Sequence, residues 1–415
     1  MITSLRGMHD LLDDRARLYK NIINTCEQVA SKYGYNYIQT PTLERTALYK
    51  RSVGESSDIV GKEMYEFSDK GGDSICLRPE GTAGVVRAFL ENKLDKAGGI
   101  YRWYYHGSMF RYERPQRGRQ REFHQFGVEC FGIASVYEDA MLICMASDIL
   151  KALNIKATLK INSLGDEDSM QNYKEALLKY AKRVSARLCM DCKRRISTNV
   201  MRILDCKNED CQQALNGAPI LLDALNDKCK NEFETLQILL RQAGIKFVID
   251  SNLVRGLDYY CKTAFEFVSD EIGAQSAIIG GGRYDRLISD LEGHDTPAVG
   301  WAMGIERIME ILALKSEEKA QKDSIYLCAL DEKLLKNICF LANQLRAFGF
   351  KVLISYDIKA PAKQLANADK INAKFFLCLG LDEAKNNEIW LRNLENKIDK
   401  KVPLDDLISE LNEQN

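Results

Sequence analysis

The stretch Phe110–Gly132, FRYERPQRGRQREFHQFGVECFG, packs dense polar chemistry between two segments that read as strands. Upstream, Tyr101–Glu113 is rich in aromatics; downstream, Glu122–Cys130 alternates, and the pair reads as a hairpin. The connecting loop Arg114–Arg121 carries four arginines, one proline and one glycine, so it is expected to be long, exposed, cationic and suited to phosphate. Side chains of period two put Phe123, Gln125, Gly127 and Glu129 on one face of the downstream strand and His124, Phe126, Val128 and Cys130 on the other. The first face is a poor core surface, since a buried amide and carboxylate need partners. It suits the floor under a small polar ligand, with Gly127 leaving room and Gln125 and Glu129 offering acceptors to an ammonium or a ring N–H. A merely solvated sheet edge is the competing reading.

Working outward, 415 residues suffice for two or three domains with substantial cores. Hydrophobic content of 46% and charged content of 28% are ordinary for a globular chain. A formal net charge of −1 argues against a uniformly basic nucleic-acid binder, so any RNA contact must come from local patches such as the arginine loop. No run of about 18 apolar residues suggests a membrane span, and the N-terminus lacks a secretory apolar core. Thirteen cysteines, an odd number scattered through apparent helices and strands, fit a reducing cytoplasm rather than a disulfide framework.

Asp14–Tyr33 reads as an amphipathic helix ended by Gly34, followed by a short strand, Tyr35–Gln39, stopped by Pro41. Met64–Leu77 reads as a second hairpin turning at Lys70–Asp73. It delivers the loop Arg78–Thr82, RPEGT, in which Thr82 can cap the helix Ala83–Leu90 and Glu80 lies beside that helix start. Tyr137–Leu153 reads as helix and Lys156–Ile161 as strand. Asp168–Gly244 then turns rich in Lys, Glu, Leu and Gln, as a helical insertion would. Inside it, Cys189, Cys192, Cys206 and Cys211 are spaced so that a tetrahedral zinc–thiolate site and a set of buried free thiols are both open. Against zinc, the second pair is wide, and the intervening RRISTNVMRILD reads as helix.

Farther on lie RGLDYY (Arg255–Tyr260), AIIGGGRYDRLI (Ala277–Ile288) and TPAVGWAMGIERIMEIL (Thr296–Leu312). An arginine before a glycine in a tight turn can fix a charge against a carboxylate or phosphate. The triple-glycine turn is a weak nucleotide signal. In the third run, Gly300 is expected to precede a helix in which Gly304 and Arg307 share a face. A bare floor with an adjacent guanidinium suits adenine and a terminal phosphate; close helix packing would explain the glycines as well. After a charged linker, Ser316–Lys322, strands Ser324–Leu330, Lys351–Ser355 and Phe375–Leu379 alternate with helices and a final helix, reading as a small three-layer α/β domain with mostly parallel strands.

The hairpin Phe110–Gly132 resembles the second signature motif of class II aminoacyl-tRNA synthetases in its histidyl form, and the similarity extends over essentially the whole chain. KYGYNYIQTPTLE resembles the first motif, RGLDYY a signature confined to histidyl-tRNA synthetases and close paralogues, and Thr296–Leu312 the third. The resemblance implies an α+β catalytic domain on an antiparallel sheet at residues 1–320, with a helical insertion at 167–250, and an anticodon-binding-like α/β domain at 322–415. It implies ligation of L-histidine to its tRNA through a histidyl-adenylate, with ATP and Mg2+, in a cytoplasmic homodimer. Relatives commonly carry threonine at the place of Cys261 and proline at that of Val200; both departures concern local packing or turns.

By the same resemblance Arg111 grips the α-phosphate, Arg307 the γ-phosphate, and Arg255 spans the amino-acid carboxylate and α-phosphate. Arg111, Glu113 and Arg307 form the ATP site. Glu80, Thr82 and Gln125 hold the ammonium, Glu129 with Tyr260 and Tyr284 reads the imidazole, and Tyr259 adds a wall; no metal ligand is assigned. Gln116, Arg117 and Arg119 are candidates for contacts to the tRNA acceptor end. Two other readings compete: a non-catalytic regulatory subunit of ATP phosphoribosyltransferase, whose members lack the last domain and usually the catalytic arginines, and a tRNA-sensing module, which would need a further catalytic domain. The retained Arg111, Arg255 and Arg307 speak against the first.

Overall fold

The computed structural model describes residues 2–54, 57–116, 118–204, 206–253, 257, 259–272, 277–315 and 322–414. Arg255, Arg117 and the linker residues 316–321 lie outside these. The chain divides into two compact units, Met1–Lys315 and Ser316–Asn415.

The first unit is organised on eight strands: β1 (Asn36–Tyr37), β2 (Tyr101–Phe110), β3 (Glu122–Phe131), β4 (Thr158–Ser163), β5 (Phe247–Ile249), β6 (Cys261–Val268), β7 (Ala277–Arg283) and β8 (Ala298–Gly304). Their order across the sheet is β1-β2-β3-β8-β7-β6-β4-β5. The interior pairings are antiparallel; β1 on β2 and β4 on β5 are parallel. One face is apolar because Phe126, Val128, Cys130, Trp301, Met303 and Phe265 all point to it, and helices Asp13–Lys32, Val136–Ala152, Asp227–Gln242 and Ile305–Lys315 cover it. Removing that surface from water is the main stabilising contribution.

On the opposite face helix Thr82–Glu91 packs Val85, Val86 and Phe89 against Met109 and Phe131, while the middle of the sheet is left to small residues. Gly127 faces Ala302 and Tyr105, and Gly280 lies between Ala302 and Glu266. Gly281 points the other way, where a Cβ would meet the Cα of Trp301 at 2.7 Å. The triple glycine thus serves close strand approach on both faces.

Several segments differ from expectation. Gly304 ends β8, and the helix starts only at Ile305. Thr82 does not cap the helix it opens: Gly81 holds the cap position, and the Glu80 carboxylate accepts from the amides of Thr82 (2.7 Å) and Ala83 (2.9 Å). In the insertion the run read as one helix is Met190–Thr198 followed by a 3-10 turn, Val200–Ile203, with extended backbone at Asn199 between them. The insertion's helices return to the sheet through β5.

The second unit has strands β9 (Ser324–Ala329), β10 (Lys351–Ser355), β11 (Phe375–Leu379), β12 (Glu388–Asn393) and β13 (Ile398–Pro403) in the order β10-β9-β11-β12-β13. The first three are parallel, as expected; β12 and β13 form an antiparallel hairpin where a helix was expected. Helices Leu335–Ala347 and Pro361–Lys370 lie between the parallel strands, and beyond β11 helix among the described residues is confined to Leu381–Lys385 and Leu407–Glu413.

Candidate active site

A cavity of about 190 Å³ opens over the small-residue floor. Its lining includes Glu80, Thr82, Arg111, Glu113, Arg119, Gln125, Tyr259, Tyr260, Glu266, Gly304 and Arg307. Most of the residues singled out from the sequence, distant along the chain, therefore meet in one place. Glu129 and Tyr284 lie beneath it, 0% and 1% exposed, and do not line it.

Glu129 is the centre of the buried end. Thr82 Oγ1 donates to it at 2.7 Å, Tyr105 at 3.2 Å, and Tyr284 through its hydroxyl. Despite these three donors, burial pushes the carboxyl up to about 8. Glycines make the room: a Cβ at Gly300 would overlap the Glu129 carboxylate, and Cβ atoms at Gly81 or Gly127 would overlap the Tyr105 ring. The space that Gly127 leaves is thus filled by Tyr105 rather than left to a ligand. Tyr105 is the participant that sequence reasoning missed.

Tyr284 is fixed from the neighbouring residue. Arg283, 1% exposed, is paired with Asp139, also 1% exposed, and its guanidinium donates to the carbonyls of Ile133 (2.8 Å) and Ser135 (3.1 Å). Thr263 Oγ1 completes Asp139 at 2.6 Å. A buried ion pair satisfied on this many sides ties β6, β7 and helix Val136–Ala152 together at the edge of the site.

At the upper part of the cavity Glu80 is fully buried, and that burial raises its carboxyl even though two amides cap it. Gln125 Oε1 and the Tyr259 hydroxyl are buried with no hydrogen-bond partner among the described residues. Buried polar atoms are normally satisfied, so both are poised for a ligand.

The cationic wall is built by docking the arginine loop onto helix Ile305–Lys315. Gly118 donates its amide to Glu310 (2.9 Å) and its carbonyl accepts from Arg307 Nε (3.3 Å). At the root of the loop, Glu306 accepts from the His124 amide (2.9 and 3.0 Å) and lies 2.7 Å from its ring Nδ1. Arg111 donates from Nε to the carbonyl of Pro79 (2.9 Å) with its guanidinium 5.2 Å from the Phe123 ring centre. Arg119 lies 3.1 Å from Glu113. The loop is therefore only partly exposed: Tyr112, Arg114 and Gln116 face solvent, while Arg111, Glu113, Gly118 and Arg119 are half-buried. Burial, reinforced by neighbouring Arg119, lowers Arg307 from the usual guanidinium range. Clustered cations against a small-residue floor suit a polyphosphate and a flat base.

The chain is similar to known proteins over nearly its whole length. The family model described as histidyl-tRNA synthetase matches residues 7–308, and one described as anticodon binding domain matches 321–414. A histidine--tRNA ligase of Campylobacter fetus is 60% identical over 411 residues, spanning 99% of this chain and 100% of that protein. The enzyme of that name from Sulfurimonas denitrificans is 55% identical, covering 97% and 99%. The crystal structure of apo histidyl-tRNA synthetase from S. aureus superposes with a TM-score of 0.83 at 34% identity, covering 99% of both chains. A Bacillus halodurans structure titled ATP phosphoribosyltransferase regulatory subunit/histidyl-tRNA synthetase shares the fold, with a TM-score of 0.65 at 21% identity over 88% of this chain and 96% of that one.

Proposed function

This chain belongs to the histidyl-tRNA synthetase family and ligates histidine to tRNA at the expense of ATP, and from that premise we propose how its residues divide the work. Activation brings the histidine carboxylate against the α-phosphate of ATP, so two anions must approach, and neutralisation with positioning carries most of the catalysis. Arg111 takes the α-phosphate and Arg307 the γ-phosphate, with Glu113 and Arg119 completing the ATP end. Arg255 bridges the amino-acid carboxylate and the α-phosphate. Glu80, Thr82 and Gln125 take the α-ammonium, Tyr259 and Tyr260 wall the side chain, and Glu129, held by Tyr284, meets the imidazole from below. Such a site leaves polar groups unpaired when a wrong amino acid enters, a penalty that can reach about 10⁴-fold discrimination.

The observation that carries this reading is the shared cavity: Arg111, Arg307 and the unpartnered oxygen of Gln125 line one space. Glu113 and Glu266 supply the carboxylate oxygens that a Mg2+ shared with phosphates prefers. Such an ion would neutralise the outer phosphates. Histidine-dependent exchange of pyrophosphate into ATP is the test. Arg111→Ala should lower kcat by about 100-fold or more, and Gln125→Ala should raise the KM for histidine about tenfold with a smaller change for ATP. EDTA should stop the exchange and Mg2+ restore it. Unchanged kinetics in both variants would overturn the assignments.

Residues 1–320 then form the catalytic domain, with 167–250 as its insertion, and 322–415 the anticodon-binding-like domain. The reading extends to a cytoplasmic homodimer. The thirteen cysteines are all free, which supports a reducing compartment, and no helix among the described residues is long and apolar enough to cross a membrane. Exposed Tyr37 and Leu43, around the first motif, offer apolar surface that a second copy would cover. Light scattering should give twice the chain mass; a monomer at micromolar concentration would refute the dimer.

A further inference from the structure

We propose that Cys189, Cys192, Cys206 and Cys211 form a tetrathiolate site for a structural Zn2+ that locks the fold of the insertion. Their four sulfur atoms all lie within 4.8 Å of one another, with Cys189 and Cys206 3.9 Å apart. Tetrahedral zinc with Zn–S bonds of about 2.3 Å needs sulfurs about 3.8 Å apart. The set is therefore close to coordination distance throughout, and it is the one such group of possible ligands among the described residues.

The chain path explains how a wide spacing closes. A continuous helix from Met190 onward would carry Cys206 roughly 25 Å from Cys189 at 1.5 Å per residue. The break at Asn199 reverses the direction: its side chain caps the next turn, and Arg195 donates to the carbonyl of Arg202 (3.0 Å). Cys206 comes back beside the start of helix Met190–Thr198. Cys211 follows in the first turn of helix Glu209–Leu215, which Asn208 caps at 3.1 Å. Backbone amides already point at the sulfurs, with Cys189 N donating to Cys211 Sγ at 3.1 Å and Cys192 N to Cys189 Sγ at 3.5 Å. Such donors favour thiolate over thiol. On binding, four thiol protons pass to solvent and four S–Zn bonds form; no oxidant is involved.

The local core says why a metal is wanted there. Between Ser185 and Ala224 the described residues form only short helical pieces, packed on a small cluster that includes Leu188, Val200, Ile203, Ala214 and Leu221. A module this small gains from a cross-link, and metal binding is then folding energy. The far end of helix Met190–Thr198, with Val200 and Met201, lines a cleft that also contains Leu257 and Tyr260, residues of the active-site cavity. The metal would thus hold the wall next to that site.

The untagged full chain, purified without chelators, should carry about one zinc per chain by elemental analysis, and a mercurial that titrates the thiols should release it. Cys206→Ser should lose most of that zinc. Because the variant could unfold, the wild-type chain refolded with Co2+ gives a second readout: absorption of tetrahedral Co2+–thiolate should develop to one equivalent. Four freely titrating thiols with no bound zinc and no Co2+ spectrum would overturn the proposal, as would a disulfide within the set or iron in place of zinc.

Discussion

Glu129 shows how burial competes with hydrogen bonding at a single residue. Three hydroxyls stabilise its charged form, yet desolvation leaves the carboxyl near 8. Its folded value is above its unfolded one, so the stability it contributes is fully present below about pH 4.5 and is lost as pH rises through about 8. Glutamine keeps the shape without the titration. Thermal or urea unfolding of wild type and Glu129→Gln across that window should therefore show the variant gaining on wild type as pH rises, and a difference that stays flat would count against a proton held there. The face carrying Gln125, Gly127 and Glu129 was legible from period two taken with the neighbouring arginines and the aromatic approach strand, because burying polar atoms on a core surface is costly. Tyr105 was not. The bridge between Gln116 and Arg119 at the loop tip, extended in register, would put Tyr105 opposite Cys130, whereas the strands pair it with Gly127. Extra residues in the loop shift the register, and one slip of this kind moves a side chain to the other face.

At the scale of elements, the catalytic sheet is held to its covering helices by a few buried polar ties as well as by apolar area. The Arg283–Asp139 pair is the most enclosed of those around the site, and it supports Tyr284 and through it Glu129. Asp139→Ala leaves a guanidinium uncompensated in the interior, so a loss of about 3–5 kcal/mol is expected in urea unfolding. Replacing both partners with apolar residues should cost less than removing one, and equal losses would mean that packing rather than charge sets the effect. Elements with strong local signals were readable: the aromatic approach strand, the helix after RPEGT, and the parallel strands of the second unit. The hairpin of β12 and β13 was not: its outer face carries Trp390 beside Glu388, Arg392, Asp399 and Lys401, so Ile389–Leu391 is a continuous apolar run without alternation, and its tight turn places Lys397, not a glycine, at φ 60°. The break at Asn199 was hidden for a similar reason: the runs Lys193–Ile196 and Met201–Leu204, rich in helix-forming residues, flank a residue whose side chain prefers to cap.

For the whole molecule, the two units have separate cores. The sheet and helices of the first unit bury Phe126, Trp301 and Phe265 together, while the second unit has its own cluster around Leu327, Phe375 and Leu391. Each unit therefore satisfies its apolar surface largely by itself. The described residues that line the cavity all belong to the first unit, whereas the anticodon-binding match covers residues 321–414 of the second. Activation needs only histidine and ATP; transfer needs the tRNA held. A chain ending at Lys315 should accordingly fold cooperatively and keep histidine-dependent pyrophosphate exchange within about tenfold of the intact chain, while its kcat/KM for charging tRNA falls by about 100-fold or more, because the affinity supplied by a second contact surface is lost. Exchange lost together with charging would place the second unit's contribution in the chemistry of activation, and charging left intact would remove it from tRNA recognition.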